Sequence, residues 1–112
     1  MKRIAKTVML KNDPEIIKKY EHYHANVWPE TIAGLINCGI HRIFIYRFGR
    51  HLFMFMEVKD DFVPDRDWPK YMENPKAKEW DDLMTSLQEP VPDAPAGTTW
   101  VEMQEVFKME NA

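Results

Sequence analysis

A chain of 112 residues, 45% apolar and 29% charged, suits one folded domain; it has neither the polarity of a disordered tail nor an apolar run of membrane-spanning length. Its net charge of −3, with lysine and arginine scattered and no basic stripe, argues against nucleic acid and favours a small uncharged or weakly charged ligand. The single Cys38 excludes an intrachain disulfide and a structural zinc site of its own, and no signal-like segment opens the chain, which points to a reducing compartment, the cytoplasm.

Residues 3–11 alternate, with Ile4, Lys6, Val8 and Leu10 on one side and Ala5, Thr7 and Met9 on the other, which predicts a first strand. Asn12-Asp13-Pro14-Glu15 follows, combining a capping side chain, a proline suited to the first helical position and an acid at the positive end of a helix dipole. Ile16, Ile17, Tyr20, His24, Val27 and Trp28 keep helical spacing as far as Pro29, which lacks a donor and disfavours helical geometry at Trp28. The pattern resumes through Ile32, Leu35 and Ile36, and Gly39 lies just past its end. A helical region over 14–38, kinked or restarted at Pro29, is expected.

Residues 40–48 alternate again, Ile40, Arg42, Phe44, Tyr46 and Phe48 against His41, Ile43, Ile45 and Arg47. After a turn at Gly49-Arg50, residues 51–59 return with Leu52, Met54, Met56 and Val58 opposite Phe53, Phe55 and Glu57, completing a hairpin. Both faces are largely apolar, whereas an antiparallel sheet covered by helices on one side should be polar on the other. A chain this short has little left to cover the second face, so a homodimer through the sheet face is expected, with cover by its own long loop or by a different protein as the alternatives.

Residues 60–67 form an acidic connection, 68–73 a short helical turn, and Ala77, Trp80, Met84 and Leu87 a second helix with Trp80 on its inner face. Residues 89–99, EPVPDAPAGTT, suit an extended loop long enough to lid a site. Residues 100–109 close the chain as a strand, with Trp100, Glu102, Gln104 and Val106 on one face and Val101, Met103, Glu105, Phe107 and Met109 on the other. Strand, helix, strand, strand, helix, strand is the split βαβ order. It implies an α+β, ferredoxin-like antiparallel sheet with two helices on one face, over a single domain 1–112. Sheet-to-sheet dimers of this kind are dimeric α+β barrels.

Chemistry-bearing side chains concentrate in residues 20–30, Y-E-H-Y-H-A-N-V-W-P-E. On a helix, Tyr20, His24 and Val27 or Trp28 share one face. An imidazole able to give and take a proton near neutral pH then stands beside a phenol on an apolar surface, a packed core histidine being the bland alternative. His22 and His24, two apart, point in different directions, and no second cluster offers metal ligands. No G-x-S-x-G, P-loop or glycine-rich dinucleotide cradle is present, so no metal or organic cofactor is expected. What remains is acid–base chemistry by His24 beside Tyr20, with Glu102 on the last strand as a carboxylate partner or as a surface residue. Trp28, Trp80 and Trp100 suit either an apolar floor for a sugar ring or core filling.

Taken together, Tyr20-x-x-x-His24-x-x-x-Trp28-Pro29-Glu30, the Ile45-Tyr46 strand, Trp80 and the closing Glu102-Met103-Gln104-Glu105-Val106-Phe107 resemble the L-rhamnose mutarotase family over almost the whole chain. The resemblance implies a dimeric ferredoxin-like protein that interconverts the α and β anomers of a 6-deoxy-sugar without metal or organic cofactor. It implies that His24 is the acid–base residue, that Tyr20 contacts substrate and that Trp80 lines the sugar pocket, and Trp28, Tyr46 and Glu102 complete the expected substrate-binding set. It also implies a cytoplasmic role, feeding one anomer to a sugar-catabolic enzyme. Two departures bear on the sugar: Ile43 stands where the family's rhamnose enzymes have a tyrosine, and Asp81 where they have a second tryptophan. With a differently built segment over 60–78, they favour L-fucose over L-rhamnose. A cofactor-independent monooxygenase of the same architecture and a non-catalytic small-ligand-binding module are the rival readings.

Overall fold

In the computed structural model, which describes residues 1–111, the alternating and helical patterns become β1 (Lys2–Leu10), α1 (Pro14–Ala25), α2 (Pro29–Asn37), β2 (Ile40–Phe48), β3 (His51–Val58), α3 (Pro64–Tyr71), α4 (Pro75–Ser86), β4 (Gln88–Glu89) and β5 (Val101–Met103). β1 is the central strand. It pairs antiparallel with β3 from Lys2↔Val58 to Met9↔His51, and β3 pairs with β2. The other edge of β1 is divided: β5 pairs with residues 5–7 and the two-residue β4 with Met9 and Leu10. The order β2-β3-β1 followed by this divided edge is ferredoxin-like, its fourth strand position shared by two short pieces.

The helical region separates at Pro29 into two helices. Asp13 caps α1, its carboxylate accepting the Glu15 N–H at 2.9 Å, while Trp28 adopts extended geometry before Pro29 opens α2. α3 starts earlier than the apolar spacing indicates, because Asp67 organises the acidic connection. Its fully buried carboxylate accepts the Val63 N–H at 2.8 Å and meets Arg66 at 2.9 Å, Lys70 at 3.1 Å and Lys59 at 3.4 Å. These bonds satisfy a helix-start donor and hold Asp67 ionised, its pKa far below the usual carboxylate range chiefly through the Arg66 hydrogen bonds.

The core lies between helices and sheet. Ile4, Met54, Met56 and Val58 pack with Phe62, Tyr71 and Ala77, and Val8, Leu10 and Leu52 pack with Tyr20, Trp80, Met84 and Leu87. Strict alternation along β2 does not hold. The register jumps from Ile40↔Val58 to Arg42↔Glu57, and this bulge at His41 turns Ile40 onto the helix-covered face with Ile43 and Ile45. Phe44, Tyr46, Phe48 and Phe53 stand on the opposite face, open to solvent.

The closing strand is shorter than the alternation of 100–109 indicates. Pairing ends at Met103, and the next residues have no regular structure, although Arg3 still meets Glu105 at 3.3 Å. Val106 and Phe107 are 92% and 81% exposed, so within one chain their apolar side chains have no surface against which a strand would be stabilised. No helix among the described residues is long and apolar enough to cross a membrane.

Candidate active site

The inner face of α1 brings Tyr20 and His24 together as their spacing requires. Their rings stack with centroids 4.2 Å apart, and His24 Nδ1 lies 2.9 Å from the Tyr20 backbone oxygen. A carbonyl oxygen only accepts, so Nδ1 carries the hydrogen and donates it, leaving Nε2 as the acceptor of the neutral ring. Burial pushes the His24 pKa below its ordinary 6.5, an effect the Tyr20 carbonyl opposes in part. Burial also drives the Tyr20 phenol well above its usual range, with the nearby Gln88 amide opposing it. At neutral pH the pair is therefore a neutral imidazole against a protonated phenol.

α4 supplies the next wall. The Trp80 ring meets His24 edge-on with centroids 5.3 Å apart, and Trp28 packs against Trp80 at 5.2 Å. His24 and Trp80 border a cavity of about 670 Å³ between the helix layer and the sheet, within the roughly 300–1,000 Å³ usual for small-molecule sites. Leu35, Ile43, Ile45 and Met54 make its walls largely apolar, and Trp68 and Trp100 add flat aromatic surfaces. Besides Tyr20 and His24, polar groups are few and converge from separate elements: Lys6 from β1, Thr31 from α2, Tyr71 from α3, Asp81 from α4 and Gln88 from β4.

Among the described residues, Lys6 is the only Lys or Arg lining this cavity, and its ammonium lies 5.0 Å from the Trp68 ring centroid. Burial lowers its pKa, and the charge of Glu102, its register partner on β5, opposes that shift. Asp81 is shifted upward, first by burial and then by the adjacent Asp82. The Tyr71 phenol is pushed up to about 12, by burial first and the charge of Asp81 second.

Of the residues singled out in the sequence, Tyr20, His24, Trp80 and Trp100 line the cavity. Trp28 stands behind Trp80 and does not line it. Glu102 is exposed, across the β1–β5 pair from Lys6, and reaches the site only through that residue. Tyr46 points to the open sheet face, 63% exposed and paired with Phe53; it borders only a second depression that shares Tyr20 and His24. The loop 89–99 does not line the cavity, and its contribution ends with the adjoining Trp100. Lys6 was legible as a lone charge in the inward register of Ile4, Val8 and Leu10. Thr31 and Tyr71 carry no such signal, because their convergence depends on how α2 packs on α3. Among the described residues no group of three or more His, Cys, Asp or Glu side chains is placed to hold a metal ion.

Comparison with known proteins sets this geometry in a family. The model of the L-rhamnose mutarotase family matches residues 3–109. The chain is 41% identical to a UPF0734 protein of Dictyostelium discoideum, over 97% of this chain and 90% of that one. It is 32% identical to the L-fucose mutarotase of Xanthomonas campestris pv. campestris, over 100% of this chain and 91% of the relative. Among solved structures, the L-rhamnose mutarotase of Formosa agariphila superposes with a TM-score of 0.69 at 26% identity, over 98% of this chain and 100% of that one. A match that runs nearly end to end, on a sheet of the same architecture, places the chain in the L-rhamnose mutarotase family of carbohydrate isomerases.

Proposed function

We propose that this protein is an aldose mutarotase that interconverts the α and β anomers of a 6-deoxy-sugar by general acid–base catalysis, without metal or organic cofactor. The observation that carries the reading is the neutral imidazole of His24, its Nδ1 proton engaged by the Tyr20 carbonyl and its Nε2 left to accept, at the wall of an aromatic-lined cavity. Mutarotation needs a base for the anomeric hydroxyl and an acid for the ring oxygen. His24 Nε2 takes the hydroxyl proton as the C1–O5 bond breaks, and the Lys6 ammonium gives one to the ring oxygen, releasing the open-chain aldehyde. Rotation about C1–C2 and reclosure, with both protons returned, produce the other anomer. Glu102 supports this step from across the strand pair by favouring the charged form of Lys6, and Tyr20 orients the imidazole. The aromatic walls at Trp80, Trp68 and Trp100 suit the C–H faces of the sugar ring.

L-Fucose is the preferred substrate in this reading. Ile43 and Asp81, the positions at which the chain departs from the rhamnose enzymes, both line the cavity, and an L-fucose mutarotase stands among the relatives. The open face of Phe44, Tyr46, Phe48 and Phe53 supports a homodimer closed sheet to sheet, in which the apolar residues after Met103 also find cover. The buried, unpaired Cys38 suits the cytoplasm.

Anomer-exchange NMR on L-fucose and L-rhamnose, with D-glucose as control, tests the activity. Faster exchange of L-fucose than of L-rhamnose is expected. Saturable sugar binding without faster exchange would mark a binding module instead.

A further inference from the structure

Two polar side chains on the cavity wall make no well-formed hydrogen bond among the described residues. Thr31 is 2% exposed, and its buried Oγ1 makes no hydrogen bond of good geometry, although it lies near enough to the Tyr71 phenol to act on it. A hydroxyl left so costs free energy that a well-packed apolar residue of the same shape would not. Asp81 lines the same cavity, half-buried, and makes neither a side-chain hydrogen bond nor an ion pair among the described residues. Both neighbour Tyr71, whose phenol burial keeps protonated.

The packing that joins them is tight. Gly34, one helical turn after Thr31 on α2, sits where a Cβ would lie 3.0 Å from Tyr71 Cδ2, 3.3 Å from the Tyr71 carbonyl oxygen and 3.4 Å from the Ala77 Cβ. Glycine here lets α2 approach α3 and α4 closely, and so holds Thr31, Tyr71 and Asp81 around one part of the wall.

We infer that Thr31, Tyr71 and Asp81 form a hydroxyl-binding subsite that recognises the sugar through hydroxyl groups taking no part in ring opening. The inference rests on the mutarotase reading and adds to it the residues that select the sugar. Asp81 supplies a carboxylate acceptor for one or two hydroxyls. Tyr71 supplies a donor, and Thr31 supplies either, as its hydroxyl rotates to suit. Ligand hydroxyls would satisfy the groups the free protein leaves unpaired. A sugar with a hydroxyl missing or inverted there would leave them unsatisfied, which is how a buried polar site discriminates. L-Fucose and L-rhamnose differ in configuration at C2 and C4, so a subsite of this kind can tell them apart.

Sugar binding by tryptophan fluorescence, read together with thermal unfolding, tests the inference in Thr31→Val and Asp81→Asn. The expected result for Thr31→Val is an unchanged or higher Tm in the free protein, because no well-formed hydrogen bond is lost, with the Kd for the preferred sugar raised about 3- to 10-fold. Asp81→Asn should raise that Kd about 10- to 100-fold, as expected for a bond to a charged acceptor. Both penalties should shrink against whichever of 2-deoxy- and 4-deoxy-L-fucose lacks the recognised hydroxyl. A lowered Tm with unmoved Kd in Thr31→Val would assign that residue to packing and overturn the subsite, as would a wild-type protein that binds neither sugar. Because binding is read separately from exchange, a protein that binds sugar without mutarotating it would overturn the catalytic reading while the variants still decide the subsite.

Discussion

The His24 imidazole stacks on the Tyr20 ring at 4.2 Å and hydrogen-bonds the same residue's carbonyl at 2.9 Å, so one helical turn fixes both the tilt and the tautomer of the ring. Replacing the ring should therefore remove chemistry without removing structure. His24→Ala is expected to lower the rate of anomer exchange by roughly 10²- to 10⁴-fold, the usual worth of a positioned general base. Circular dichroism should show the fold intact. A folded variant with the wild-type rate would remove His24 from the mechanism.

The acid limb of the pH profile follows from the direction of the His24 shift. Burial lowers its pKa below 6.5, so the neutral, base-competent ring persists to lower pH than a free histidine would allow. Exchange catalysis should fall with acid, with its midpoint below 6.5. Stability follows with the same sign. The unfolded state binds the proton first, so the His24 contribution is fully present above 6.5 and is lost as pH falls through the depressed folded value. Rate–pH profiles and pH-dependent denaturation of wild type and His24→Ala check both, and the variant should lose this part of the stability slope.

Gly34→Ala should destabilise the protein. The added methyl meets the Tyr71 ring at 3.0 Å and its backbone oxygen at 3.3 Å, and backbone yields less readily than a flexible side chain. Overpacking typically costs about 1–3 kcal/mol, against about 1 kcal/mol gained when alanine replaces glycine in a helix. A net loss on the order of 1 kcal/mol is expected in chemical denaturation, accompanied by a raised KM as Tyr71 shifts.

The open face of the sheet leads to a prediction about assembly. Phe53→Glu places a charge at the middle of the aromatic surface made with Phe44 and Tyr46, where burial against a second copy would leave it unpaired. In sedimentation velocity the wild-type chain should run as a dimer and the variant as a monomer. A monomeric wild type at micromolar concentration would contradict the dimer.

Much of this architecture is legible in local pattern. The strands β1 to β3, the break at Pro29 and the Tyr20–His24 face all follow from spacing and from proline chemistry, which act within a few residues. What escapes the pattern depends on distant surfaces. The His41 bulge reverses Ile40 because the β2–β3 register, not alternation alone, decides which residues reach the core. Tyr46 lies away from the cavity for the same reason, on the face that alternation from Ile43 and Ile45 leaves outside. The alternation of 104–109 is real, but a strand forms only where a partner surface exists. Thr31, Tyr71 and Asp81 come together through helix packing at Gly34, and nothing in their own neighbourhoods announces it.

The most direct test of mutarotation by His24 is two-dimensional anomer-exchange NMR on L-fucose at neutral pH, with wild type and His24→Ala compared at equal concentration. We expect strong exchange cross-peaks between the α and β anomeric protons with wild type, and a return to nearly the uncatalysed rate with the variant. Equal exchange in the presence and absence of the wild-type protein, for L-fucose and L-rhamnose alike, would contradict the catalytic reading.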